Sequence, residues 1–369
     1  MGMELSIIQT NFSPLRLGDR RPSLLRRVVR EHRLFLLVVL LYACAGLLLD
    51  LLGIVPGLAR KLSYTYAYLL PPALIWIPVL GTLVRERWKV REGGQRVNGW
   101  DGWVLGYRRA RQGGLSSDRI LGLVLVACVV PIFMNTFGGW KAAIPTLHPF
   151  EYDHLFFRID RVLHAGRDPW AILHPILGRP AVTHFLDQTY ALWLFFVPAV
   201  VVWQAWNRDL QTRRQFLIAF VLIWILLGTV MAVAASSAGP CYYTRVTGLA
   251  NPYQPLFEYL GHFQESGITL LSQVGQEILW RNYALVDVQP YTRISAMPSL
   301  HVAMPVLYTL AGLRTHKLLG LLFGFYTLLI FLGSIHLGWH YAVDGEVSLI
   351  LVPLIWVLSG RIVSRLGHA

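Results

Sequence analysis

The chain has 369 residues, of which 55% are hydrophobic and 14% are charged, and its mean hydropathy is +0.49. A soluble domain carries about 25% charged residues, so this composition excludes an ordinary soluble protein and predicts helices that cross a lipid bilayer. The net charge of +13 would suit nucleic-acid binding, but the positions of the basic residues favour membrane topology as its cause.

Eight segments are apolar and about 20 residues long, as transmembrane helices require. In chain order they are Leu34–Ile54, Tyr64–Val84, Ile120–Trp140, Gln188–Trp206, Gln215–Ala235, Met297–Leu313, Leu318–Ile335 and Trp339–Gly360. Prolines inside several of them are tolerated in membrane helices. The predicted fold class is therefore an all-α, multi-pass (polytopic) membrane protein with about eight transmembrane helices.

The distribution of Lys and Arg predicts the orientation of the chain. When eight helices alternate across the bilayer, most of the 33 basic residues fall on the side of both termini, which is therefore predicted to be cytoplasmic. Basic residues on that side are expected to contact anionic lipid headgroups, and nucleic acid is not expected as a partner. The predicted localisation is a cell membrane of the bacterial type.

The same pattern divides the chain into four parts. They are a basic cytoplasmic arm (1–33), two transmembrane helices with a basic cytoplasmic loop (34–118), a membrane domain (119–360) and a cytoplasmic tail (361–369). Two long outer segments, residues 141–183 and 237–297, are rich in aromatic residues that suit the membrane interface. These segments are predicted to form interfacial helices above a cavity.

Three ionisable residues lie at the outer ends of predicted spans. His301 lies at the start of the sixth span, and His340 and Asp344 lie at the start of the eighth. None of them was used to derive the topology, yet all three reach the same face of the membrane. Ionisable groups at membrane depth are costly and are usually functional, so the pattern predicts a shared site.

The spacing of His340 and Asp344 places both on one helix face. A carboxylate held against one imidazole nitrogen fixes the tautomer and leaves the other nitrogen able to attack. This arrangement suits a histidine that is transiently phosphorylated. The alternative is a structural His–Asp pair that clamps two helices.

The stretch MPSLH predicts a helix start that binds phosphate. Pro298 and Ser299 are typical of the beginning of a helix, and the amide groups there bind anions. His301 lies in the first turn, where it can protonate a leaving oxygen. The alternative is a capped helix with an incidental interface histidine.

PSLH (residues 298–301) followed by HYAVD (residues 340–344) resembles two motifs of the type-2 phosphatidic acid phosphatase superfamily, which shares a helical core with vanadium haloperoxidases. The longer stretches SAMPSLHVA and HLGWHYAVD are most similar to its inositolphosphotransferase branch, that of inositol phosphorylceramide synthases. The resemblance implies a six-helix catalytic core and a lipid phosphate or phosphodiester substrate, with neither a metal nor another cofactor. The predicted topology puts the active site on the extracytoplasmic face.

Carried over by position, the resemblance implies that His340 is the nucleophile and Asp344 its orienting partner. His301 is then the acid and base, and Ser299 a phosphate ligand. Phosphatases of the superfamily have an arginine where this chain has Ser334, and their first motif is not found here. Both departures resemble the transferase branch, so transfer to a polyol or sugar headgroup is favoured over a lipid phosphate phosphatase.

The missing arginine leaves the positive charge that holds the phosphate unassigned. Candidates on the predicted outer side are Lys141, Arg245 and Arg293, of which the last two flank the motif-bearing segments and rank first. Tyr243 is a further candidate for lining the pocket, or else an ordinary interface aromatic. Asp187 either supports the site or pairs helices.

Two hypotheses of other classes remain open. One is a metal-dependent membrane enzyme with zinc ligands drawn from His336, His340, His301 and Asp344. The other is a transporter or a scaffold in which a histidine cluster relays protons, although no internal repeat is visible. The sequence predicts no particular protein partner.

Overall fold

The computed structural model describes residues 23–54, 72–92, 99–113, 115–284 and 294–367, and no strand occurs in these ranges. The main helices are α1 (Leu24–Leu51), α2 (Pro72–Glu92), α3 (Gly99–Gly113), α4 (Ser117–Leu147), α5 (Asp153–Leu163), α6 (Pro169–Leu177), α7 (Pro180–Ala191), α8 (Trp193–Ala205), α9 (Leu210–Ile225), α10 (Tyr243–Thr247), α11 (Gln254–Glu265), α12 (Leu271–Ala284), α13 (Leu300–Thr315), α14 (Lys317–His336) and α15 (Ala342–Gly367). The α-helical fold class is confirmed.

Five helical stretches among the described residues are long and apolar enough to cross a membrane. They are Leu24–Leu51, Ser117–Leu147, Leu210–Ala234, Lys317–His336 and Ala342–Arg365. Helices α7 and α8 are bent by 42° relative to one another and count as a sixth when taken together. The chain is therefore a multi-pass membrane protein, as its composition predicts.

Two of the eight predicted spans do not correspond to any of these membrane-length helices. The segment Met297–Leu313 corresponds to α13, which has 16 residues and is shorter than the roughly 20 that a span needs. The segment Tyr64–Val84 begins outside the described residues, and its described part belongs to α2. The helix α1 also begins at Leu24, earlier than predicted, because Ser23 caps it by accepting a hydrogen bond from the amide of Arg26.

The predicted basic loop between residues 85 and 119 contains the end of α2 and the whole of α3. These two helices pack together, and the guanidinium of Arg87 lies 4.2 Å from the ring centre of Trp103. The pairing gives the arginine-rich segment a helical structure.

The centre of the bundle is α9, which is buried around most of its circumference. A helix that is apolar on all sides belongs inside a bundle, and α9 contacts α1, α8, α13 and α15. It continues into a π-helical turn, Leu226–Met231. Gly228 in this turn lies against Phe137 and Leu300, and a Cβ atom there would approach both within 2.8 Å. The glycine thus allows the start of α13 to approach the core closely.

Short helices cover one end of the bundle. In the two outer segments that were predicted to hold interfacial helices, the structure has α5 and α6, and then α10, α11 and α12. Aromatic side chains from α5 and α11 pack against the α14–α15 connection, where Phe156 meets Tyr341 and Phe257 contacts Gly338. The residues of the predicted site that the structure describes lie near this end.

Candidate active site

The connection between α14 and α15 carries His340. The amides of Trp339 and His340 both donate to the carbonyl of Ser334, at 3.0 and 3.1 Å. Gly338 has a φ of +72°, and a Cβ atom there would approach the Phe257 ring within 2.6 Å. A glycine is required because other residues rarely adopt this backbone conformation. The turn therefore fixes where the His340 ring lies.

His340 and Asp344 form the predicted pair. The Nδ1 atom of His340 lies 3.1 Å from the Oδ2 atom of Asp344, and the two residues are only 5% and 0% exposed. The same carboxylate oxygen accepts a hydrogen bond from the amide of Tyr341 at 3.1 Å. Asp344 thus holds the imidazole from one side and leaves Nε2 as the nitrogen that faces the rest of the site.

His301 lies against that nitrogen. Its Nδ1 atom is 3.4 Å from the Nε2 atom of His340, although the residues are 39 positions apart in the chain. The structure therefore brings the two imidazoles and the carboxylate together in one line, as the sequence pattern predicts. Their catalytic roles stay predictions.

Backbone hydrogen bonds join the starts of α13 and α15. The amide of Ser299 donates to the carbonyl of Asp344 at 3.0 Å. The hydroxyl of Ser348 bridges the carbonyls of Ser299 and Asp344 at 2.9 and 3.0 Å. The side chain of Ser299 caps α13 by accepting a hydrogen bond from the amide of Val302 at 3.3 Å. Ser299 is thus part of the frame of the site, and its predicted role as a phosphate ligand is not tested.

An aromatic cage surrounds His301. Tyr190 stacks on the imidazole with ring centres 4.8 Å apart, Trp193 approaches to 4.4 Å and Trp339 to 6.5 Å. No role for these residues follows from the sequence pattern. Their only signal is their aromatic character near the outer ends of predicted spans, which is also typical of ordinary membrane-interface residues.

Two aspartates of α5 support the backbone of the site. Asp153 accepts hydrogen bonds from the amides of Ala238 and Gly239 and from the Tyr341 hydroxyl, each at 2.8 Å. The side chain of Asp160 accepts hydrogen bonds from the first amides of α15, those of Ala342 and Val343, each at 2.8 Å.

The two aspartates occupy equivalent positions on the same face of α5, seven residues apart, with Phe156 between them. Sequence analysis assigned them no role. An acid recurring at helical spacing on the apolar face of a short amphipathic helix is the signal that identifies them.

Burial raises the pKa of the Asp160 carboxyl to about 7, from an ordinary 3.8. Between these values the folded protein binds more protons than the unfolded chain, so this group makes the protein less stable as pH rises from about 4 to about 7. We expect the gap in Tm between the wild type and Asp160→Asn, measured in detergent, to be largest near pH 4 and to narrow towards pH 7. A gap that stays constant with pH would contradict this prediction.

Of the two candidate cations within the described residues, Lys141 is the one whose charge reaches the site. Burial, followed by the positive charge of Lys141, lowers the pKa of the His340 imidazole to about 3. The ring is therefore neutral near pH 7, as a nucleophile must be. The ranking of the cations by sequence did not place Lys141 first, because position along the chain does not show which cation acts on the two imidazoles.

The other two candidate cations are placed differently. Arg245 is exposed, its Nη2 atom lies 3.5 Å from Glu277, and its guanidinium lies 4.9 Å from the ring centre of Trp280. Arg293 lies outside the described residues. Sequence proximity to the motifs therefore does not bring Arg245 to His340 in the structure.

Tyr243 and Asp187 form their hydrogen bonds with groups other than the imidazole pair. Tyr243 is buried, and its hydroxyl is 2.8 Å from the Nδ1 atom of His154. Both carboxylate oxygens of Asp187 accept backbone amides, those of Leu271 and Ser272 at 2.8 Å, at the start of α12. Of the two roles that the sequence left open for Asp187, these contacts are those of a group that pairs helices.

His336 points away from His340. Its Nε2 atom lies 2.9 Å from the hydroxyl of Thr183, which agrees with a packing role. Within the described ranges, no group of three or more His, Cys, Asp and Glu side chains is arranged to hold a metal ion.

Comparison with known proteins identifies one family. A family model described as the PAP2 superfamily matches residues 154–358, which is more than half of the chain and includes both imidazoles and the carboxylate. Neither the comparison with curated proteins nor that with solved structures finds a match.

Proposed function

The chain belongs to the PAP2 superfamily, whose members are phosphatases and phosphotransferases, and on this premise we propose that it transfers a phosphoryl group from a lipid phosphate or phosphodiester through a covalent phosphohistidine. The observation that carries the proposal is the line of side chains in which Asp344 holds His340 and His340 meets His301. A carboxylate, a nucleophile and a proton donor in successive contact are the groups that such a reaction needs.

The first half of the reaction forms the intermediate. The Nε2 lone pair of His340 attacks phosphorus, the bond from phosphorus to the lipid oxygen breaks, and His301 gives that oxygen its proton. Asp344 stabilises the positive charge that develops on the His340 ring. In the second half an acceptor hydroxyl gives its proton to His301 and attacks phosphorus, and the nitrogen–phosphorus bond breaks.

The 3.4 Å contact between the two imidazoles has a consequence for substrate binding. In an in-line displacement the leaving oxygen lies on the side of phosphorus opposite to the attacking nitrogen. The two rings must therefore separate when the phosphate enters between them. The aromatic cage of Tyr190, Trp193 and Trp339 sets the direction in which His301 can move.

Lys141 is proposed to hold the phosphate. Phosphoryl transfer depends mainly on positioning and on stabilisation of negative charge, and the arginine position of related phosphatases is occupied here by Ser334. Ser334 is 1% exposed, and its side chain donates to the carbonyl of Phe331. The charge of Lys141 acts on His340 in the structure, so this residue is well placed to supply the missing cation.

The acceptor is proposed to be a polyol or sugar headgroup, as in inositolphosphotransferases. Support comes from the resemblance of the two motifs and from the serine at the arginine position. With water as acceptor, the same residues would make a lipid phosphate phosphatase. We propose that the site opens on the extracytoplasmic face and that both termini are cytoplasmic, because most basic residues then lie on the cytoplasmic side.

The test uses purified protein in detergent and phospholipids carrying ³²P in the headgroup phosphate. A brief incubation followed by denaturation should give acid-labile, base-stable label on the protein. Adding inositol or another polyol should move the label to a water-soluble ester, whereas hydrolysis releases inorganic phosphate. Absence of both labelled protein and product across a panel of lipid phosphates would contradict the proposal. Comparing lipids of cells with and without the gene by mass spectrometry identifies the natural donor.

Replacing Lys141 by methionine tests the choice of cation. We expect kcat/KM for the lipid substrate to fall about 100-fold or more, because the charge that stabilises the transferring phosphate is lost. The matched control, Arg245→Met, removes a charge that is engaged with Glu277 and should change kcat/KM less than about threefold. If Arg245→Met has the larger effect, Arg245 and not Lys141 binds the phosphate.

A further inference from the structure

A basic pocket lies at the opposite end of the helix bundle from His340. It has a volume of about 220 Å³ and is enclosed by α1, the start of α9 and the end of α15. Three arginines line it, Arg30 and Arg33 from α1 and Arg214 from α9. No part of the proposed reaction uses these residues.

Among the described residues that line this pocket, arginines outnumber acidic residues. Glu31 is the one acidic residue among the described residues that line it, and its carboxylate pairs with Arg213. The Nε atom of Arg214 donates to the backbone carbonyl of Glu31 at 3.0 Å, and its guanidinium carries further donors. Arg33 lies near enough to Arg214 for their like charges to act on one another. A ligand with negative charge would be attracted to these guanidinium groups.

Besides the arginines and Glu31, the described lining of the pocket consists of His32 and five apolar residues. His32 is buried, and its Nδ1 atom lies 2.9 Å from the carbonyl of Val28. The apolar lining comes from three helices and consists of Leu34, Phe35, Leu217, Ile218 and Val363. Further along α1 from the pocket, Leu37, Leu40 and Leu41 are exposed. A positively charged opening therefore continues into an apolar surface along a membrane-spanning helix.

The position of the pocket separates it from the candidate active site. Asp344 lies at the start of α15 and Val363 near its end, and 19 residues of helix span about 28 Å. The hydrocarbon core of a bilayer is about 30 Å thick. The two sites therefore lie at opposite sides of the membrane, and one lipid headgroup cannot occupy both.

We propose that this pocket binds the phosphate headgroup of an anionic phospholipid in the leaflet opposite the candidate active site. The arginines bind the phosphate, and an acyl chain lies along the apolar face of α1. The combination of charge with a continuous apolar surface favours a lipid over free phosphate, because a soluble anion would use only the arginines. The bound lipid holds α1 against α9 and α15 and so stabilises the bundle.

The experiment measures lipid binding to the full-length protein after removal of endogenous lipid. Dioctanoyl phosphatidylglycerol, dioctanoyl phosphatidylcholine and glycerol phosphate are titrated separately, and Tm and native mass spectra are recorded. The His340→Asn background prevents turnover of the probe. We expect phosphatidylglycerol to raise Tm and to give a one-to-one complex, and the other two probes to have little effect.

Variants locate the bound lipid. Arg30→Gln and Arg33→Gln should each weaken the apparent affinity for phosphatidylglycerol about fivefold. Arg26→Gln, which removes a charge from the same helix outside the pocket, should change it less than twofold. Equal binding of phosphatidylcholine, or equal affinities in all three variants, would overturn the proposal. Equal stabilisation by glycerol phosphate would overturn the assignment to a lipid.

Discussion

Substitution of His340 with asparagine is expected to lower kcat for the lipid substrate at least about 10⁴-fold, because the atom that forms the covalent intermediate is removed. Asparagine is similar in size and polarity to histidine. The hydrogen bonds from the amides of Trp339 and His340 to the carbonyl of Ser334 are made by the backbone and do not depend on the side chain. The variant should therefore fold and insert. The measurements are steady-state turnover and ³²P labelling of the protein, both of which should be lost.

The matched control is His316→Asn. His316 is an exposed histidine at the start of α14, at the other end of that helix from the site, and its replacement should leave kcat within about threefold. Near-normal turnover by the His340→Asn variant would eliminate the phosphohistidine mechanism. A variant that is inactive but still becomes labelled would place the nucleophile elsewhere.

Replacing Asp344 by asparagine is expected to lower kcat about 10³- to 10⁴-fold, because the amide can present its NH₂ group to His340 and stabilise the wrong tautomer. It also cannot balance the charge that develops on the ring. The nucleophile itself remains, so the amount of phosphorylated protein during turnover should fall and its formation should become slow. Rapid-quench measurement of the labelled protein tests this expectation.

The control for Asp344 is Glu346→Gln, the same chemical change two residues further along α15. Glu346 lies 3.5 Å from the Nε2 atom of His164 and does not contact His340, so kcat should change less than about threefold. Rapid labelling of the Asp344→Asn variant at the wild-type rate would show that Asp344 is structural. That outcome would favour the clamp between helices that the sequence left as an alternative.

Local sequence patterns were sufficient to predict the class of protein and to single out His301, His340 and Asp344. Apolar runs report directly on burial in lipid, and a histidine or aspartate at the edge of such a run is costly wherever the chain folds. The four-residue spacing of His340 and Asp344 is a property of one helix start. In the structure, His340 accordingly lies with its Nδ1 atom 3.1 Å from Asp344 and its Nε2 atom 3.4 Å from the Nδ1 atom of His301.

Local sequence patterns could not predict contacts between residues that are far apart in the chain. Asp160 binds the amides of Ala342 and Val343 from more than 180 positions away, and sequence alone does not state which helix end a buried acid will meet. The same limit explains the ranking of the cations. Arg245 is nearer the motifs in sequence, but Lys141 is the one whose charge reaches His340.

The sequence by itself thus determined a helical membrane protein and the residues that carry its proposed chemistry, because hydrophobicity and helix periodicity act over a few turns of chain. Only the tertiary structure decided which distant groups surround those residues. Lys141, the aspartates of α5 and the basic pocket depend on the packing of helices, and packing depends on the shape of whole surfaces.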